Sequence, residues 1–69
     1  MERIPVRSSN VRSIGYRPDN QILEVEFKTG SIYQYFGVTF EKHERLMKSR
    51  SKGEYLSLEI KGQYRCSKC

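Results

Sequence analysis

Apolar residues recur along this chain with two different periods, and the change from one to the other divides it into sheet and helix. In residues 22–27, Leu23, Val25 and Phe27 alternate with Glu24 and Glu26, as in a strand that buries one face. Residues 11–16 form a second β-branched and aromatic run. Arg17-Pro18-Asp19-Asn20 separates the two as a turn, because proline presets φ and Asp and Asn bond their own backbone. A four-residue loop at those positions sets Ile14 opposite Leu23, core face against core face.

The next connection decides where the aromatic stretch "GSIYQYFGV", residues 30–38, points. A two-residue loop at Thr29-Gly30 needs positive φ at a β-branched threonine, which resists it. A three-residue loop at Lys28-Thr29-Gly30 has glycine in the left-handed position and sets Val25 opposite Tyr33 and Leu23 opposite Tyr35. Tyr33 and Tyr35 then belong to the core, and Ile22, Glu24, Glu26, Ile32, Gln34 and Phe36 form the outer face. Two carboxylates at its centre repel phosphate, so this register speaks against bases stacking across the sheet and leaves Phe36 as its one outward ring.

After Val38 the period lengthens. Thr39 is placed to cap a helix through about Ser49 whose apolar positions Phe40, His43, Leu46 and Met47 share one face. On its other face Glu41 with Arg45 and Glu44 with Lys48 are i,i+4 ion pairs in the favourable order. Ser51-Lys52-Gly53-Glu54 has the spacing of a capping box, with Leu56, Ile60 and Tyr64 on one helical face beyond it. Leu56, Leu58 and Ile60 also alternate as a strand does. The cap and Tyr64 favour a helix. The pattern therefore predicts an α+β fold, a three-stranded antiparallel meander followed by two helices packed on one face. It forms a single domain over residues 1–69, with residues 1–9 and 65–69 less ordered.

Charge changes this picture more than composition does. Residues 1–41 hold as many acidic as basic residues, five of each, whereas residues 42–69 hold eight basic and three acidic, so the net +5 belongs to the second part alone. Such asymmetry suits an anionic partner. Lys42, Arg50, Lys52, Lys61, Arg65 and Lys68 have no helical i,i+4 partner and are the candidates for phosphate. The charged start and the lack of a long apolar run indicate a cytoplasmic chain without signal peptide or membrane span.

Catalytic constellations are absent. His43, the single histidine, lies on the inward helix face with no nucleophile or orienting group beside it in the pattern, and there is no phosphate-binding or dinucleotide motif. Cys66-Ser67-Lys68-Cys69 supplies two thiols where a structural zinc wants four ligands, and a cytosolic setting keeps them reduced. No cofactor and no small-molecule substrate are expected, and Cys66 and Cys69 remain a minor metal candidate.

"PVRSSNVRSIGY", "LEVEFKTGSIYQYFGV" and "SKGEYLSLEIKGQY" together resemble the KTSC domain, a module of about this length found alone in small bacterial and phage proteins and at the carboxyl end of some lysyl-tRNA synthetases. Tyr33 and Tyr35 match its central YxY, and Ser51, Gly53, Tyr55, Ile60 and Tyr64 fall on its later pattern. Thr39 and His43 depart from it, standing where proline and an aromatic are common. The resemblance implies an RNA partner, tRNA-like or single-stranded. Two functions follow as expectations. One is a non-catalytic RNA-binding module using Lys42, Arg50, Lys52, Lys61, Arg65 and Phe36. The alternative is a protein-interaction module or homodimer using an apolar patch of Ile22, Ile32 and Phe36, unless Ile4 and Val6 of the N-terminal segment cover that patch.

Overall fold

The computed structural model describes residues 2–69. One antiparallel sheet runs in sequence order through β1 (Arg3–Pro5), β2 (Val11–Arg17), β3 (Ile22–Phe27), β4 (Ile32–Phe36) and β5 (Arg65–Lys68). Helix α1 (Phe40–Lys48) and helix α2 (Lys52–Tyr55) follow β4, and α2 runs on as a π-helical segment, Leu56–Ile60. The sheet thus has five strands, not three. Both additional strands are short edges from the segments 1–9 and 65–69, where the apolar alternation that marks a half-buried strand is missing because an edge strand buries little.

The β3–β4 connection is as the glycine requires. Gly30 has φ +98°, Phe27 N–H donates to Ser31 O at 2.9 Å, and Val25 pairs with Tyr33 and Leu23 with Tyr35. The β2–β3 connection differs in detail. Ile14 pairs with Val25, not Leu23, because the four connecting residues are Pro18 to Gln21 and β2 extends through Arg17. Gln21 takes the left-handed conformation, φ 54°, and Gly37 and Val38 both donate to its carbonyl. The displacement is two residues, so the faces are kept.

A bulge at Arg12 adjusts β2. Val11 pairs with Phe27 but Ser13 with Glu26, so the alternation slips by one. Val11 and Ile14, three apart, both face the core as a result, and Arg12 and Ser13 both reach Glu26.

The helices cover one side. Leu46, Leu56 and Ile60 are fully buried against Val11, Ile14, Leu23, Val25 and Tyr35. Leu58 is 65% exposed, which marks residues 56–60 as helical: a strand would have buried all three alternating residues on one face. The widened turn is closed by Lys61 N–H donating to Leu56 O at 2.7 Å. Thr39 caps α1 and Ser51 caps α2, each side-chain oxygen accepting the N–H three residues on. Glu44 pairs with Lys48 at 3.7 Å, while no Glu41–Arg45 pair forms among the described residues. His43 is half-buried, its ring stacked on Tyr16 with centroids 4.5 Å apart.

Candidate nucleic-acid interface

The predicted cations do not share a face. Lys42 donates to Glu59 Oε1 at 3.0 Å, a partner from the π-helical segment that local spacing could not reveal, and this carboxylate raises the Lys42 pKa. Lys52 opens α2 and donates to Ser49 O at 2.9 Å. Arg50 is exposed between the helices, and no ion pair holds it among the described residues. Lys61 sits beyond the π-helical segment with its ammonium 5.1 Å from the centre of the Phe27 ring. Arg65 belongs to β5 and pairs with Phe36. The basic second half is therefore spread over a helix pair, a turn and a sheet edge.

The uncovered face of the sheet collects what the helices do not. Paired residues of an antiparallel sheet share a face. Pairing sets Arg17 beside Ile22, Ile22 beside Phe36 and Phe36 beside Arg65, one row across four strands. At an inter-strand spacing of about 4.8 Å the row is about 14 Å wide. Phe36 is 37% exposed at its centre, and a cation stands at either end.

One row along, the carboxylates are neutralised. Arg3 in β1 pairs with Gly15 in β2, which pairs with Glu24 in β3. Having no side chain, Gly15 leaves a gap through which the Arg3 guanidinium bonds Glu24. Gln34 donates to the other Glu24 oxygen at 2.8 Å. Arg3 Nε also donates to Ser13 Oγ at 3.1 Å, Ser13 donates to Glu26 Oε1 at 2.9 Å, and Arg12 Nε lies 3.9 Å from Glu26. Burial alone pushes the Glu24 pKa up; the bonds from Gln34 and Arg3, with the nearby positive charge, outweigh it and hold the carboxyl below its ordinary value.

This arrangement corrects the objection to the sheet face. Glu24 and Glu26 do sit at its centre, but as paired anions, and Arg3, Arg12, Arg17 and Arg65 outnumber them. It also corrects the apolar patch. Ile22 and Phe36 touch the same row, whereas Ile32 pairs with Glu26, separated from them by the Glu24–Gln34 pair. Nor do Ile4 and Val6 of the N-terminal segment cover the patch. Ile4, paired with Ile14, points to the helix side and is 61% exposed at the edge, and Val6 packs on the core.

Cys66 lies in β5 and Cys69 directly follows it. Cys66 pairs with Tyr35 and faces the helices; Cys69 donates its N–H to Ile32 O and follows the alternation to the other face. Residues three apart in a strand are about 10 Å apart, beyond the reach of a disulfide or of one shared ion.

The fold and this site define a small α+β domain with an open sheet face rich in arginine. The KTSC domain model matches residues 7–64, and the chain belongs to that family. It is 41% identical to an uncharacterized protein of Stutzerimonas stutzeri, covering 93% of this chain and 90% of that protein. It is 42% identical over 57 residues to a lysine–tRNA ligase of Nostoc sp., covering 83% of this chain but 10% of the ligase. The crystal structure of a KTSC domain protein from Yersinia pestis superposes with a TM-score of 0.96 at 44% identity, covering 99% of this chain and 96% of that one. Among the described residues, no helix is long and apolar enough to cross a membrane.

Proposed function

We propose that this KTSC domain is a non-catalytic RNA-binding module whose single-stranded ligand lies across the outer sheet face, with a base on Phe36 and phosphates at Arg17 and Arg65. One observation carries the reading: the half-exposed aromatic ring has an arginine at each end of its own cross-strand row. Stacking on such a ring tolerates any base, and the cations supply the salt-dependent part of the affinity. The likeness to a segment of lysine–tRNA ligases favours RNA among the anions this surface could hold. Arg50 and Lys61 stand off the row and make no contact within it, and Lys42 and Lys52 already have partners.

A fluorescein-labelled single-stranded RNA titrated over a salt series tests this. Two or three phosphate contacts give a log–log slope of about −1.5 to −2. No binding at low salt, or a flat slope, contradicts the proposal.

A further inference from the structure

A groove of about 470 Å³ opens on the opposite, helix-facing side of β5. Its walls are the rings of Phe27, Tyr33 and Tyr35, closed by Lys61 and by Cys66 from the edge strand. It lies where the β3–β4 turn meets the connection from the helices to β5. Tyr33 is only half-buried there, with Phe27 edge-on at 5.8 Å and Tyr35 tilted at 6.5 Å. The YxY tyrosines are thus core on one side and groove wall on the other. The polar residues Asn10, Thr29 and Ser31 complete its lining.

The volume is that of a small-molecule site, about 300–1,000 Å³. Flat apolar walls suit a planar ring system. The polar border suits a ring whose edge bears donors and acceptors. Of the residues lining the groove, Lys61 carries the only charge, so an anionic group is favoured beside the ring. We infer that this groove holds one nucleotide, its base against Tyr33 and its phosphate at Lys61. The inference extends the RNA reading to a second contact around the β5 edge, but the groove can be tested without the sheet face.

Cys66 is a reporter built into the wall. In a Cys69→Ser chain, its reaction with a thiol-specific chromogenic disulfide is followed as adenosine or uridine 5′-monophosphate is added. Thiol reactivity follows access, so either nucleotide is expected to slow labelling by about fivefold or more at saturation. Tyr33→Ala and Lys61→Ala should each remove the protection; Phe36→Ala should leave it. A labelling rate unchanged up to millimolar nucleotide overturns the inference, and so does equal protection by benzoate, which lacks both base edge and phosphate. Loss of RNA anisotropy with nucleotide protection of Cys66 intact would overturn the sheet-face reading alone. Retained RNA binding with an unprotected Cys66 would overturn the groove alone.

Discussion

The same strands build two faces of opposite chemistry, and the difference lies in what covers them. Inward, Val11, Ile14, Leu23, Val25 and Tyr35 meet Leu46, Leu56 and Ile60 in a dry layer where shape and area decide stability. Outward, no helix of the described residues lies over the sheet, and its centre is closed by side chains reaching across from β1 and β2: Arg3 onto Glu24, and Ser13 onto Glu26. Glu24 is 7% exposed, its carboxylate held by Arg3 and Gln34. An uncovered sheet can therefore bury its carboxylates in their own counter-ions and leave a ring and two arginines free at one end.

The comparison breaks most visibly in the core. Leu46→Ala, which truncates the buried side chain of α1, should cost about 2–5 kcal/mol in urea unfolding. Ile22→Ala on the outer face, where the side chain is half-buried and no cavity can form, should cost about 1 kcal/mol or less. Equal losses would mean that the two faces are not energetically distinct.

Arg3→Ala comes next. It leaves the Glu24 carboxylate buried with only Gln34 to bond it, a loss of about 1–3 kcal/mol at neutral pH. The folded-state pKa of Glu24 is depressed, so its contribution is present above the unfolded value of about 4.3 and disappears as pH falls through the lower folded value. Unfolding curves of wild type and Arg3→Ala should therefore converge in acid. Curves that stay parallel at all pH values would remove the ion pair as the cause.

His43→Phe should give a smaller effect of opposite sign. The ring stacks on Tyr16 while its Nδ1 is buried without a hydrogen-bond partner, and phenylalanine keeps the stack without the orphaned nitrogen. A gain of about 1 kcal/mol is expected. Burial pushes the His43 pKa down, with Glu44 opposing, so the unfolded chain takes the proton more readily. Wild-type stability should thus decline as pH falls through about 6.5, a decline that His43→Phe flattens. Smallest of all, Lys48→Ala removes a mostly exposed pair with Glu44 and should leave the midpoint unchanged within error.

How much of this could be read in the chain depended on the range of each interaction. The β3–β4 register was legible because Gly30 alone permits the turn, and both helix caps because Thr39 and Ser51 act on residues three away. The β2–β3 pairing was legible in its faces but not in its position, since nothing local showed Gln21 taking the left-handed conformation. Strands β1 and β5 were missed because edges carry no alternation. The site suffered most, since its key contacts are distant: Arg3 reaches Glu24 across 21 residues and Lys42 reaches Glu59 across 17. A lone glycine in the β2 run, Gly15, was the available signal that something crosses the sheet there.

The most direct test of the sheet face as the RNA surface compares two variants in one anisotropy titration at low salt. Phe36→Ala should weaken binding by about tenfold or more, as loss of one stacked base does, while Arg50→Ala with Lys52→Ala stays within about threefold of wild type. The reverse order, with the helix-loop variant losing affinity and Phe36→Ala binding normally, would place the ligand on the helices and contradict the account.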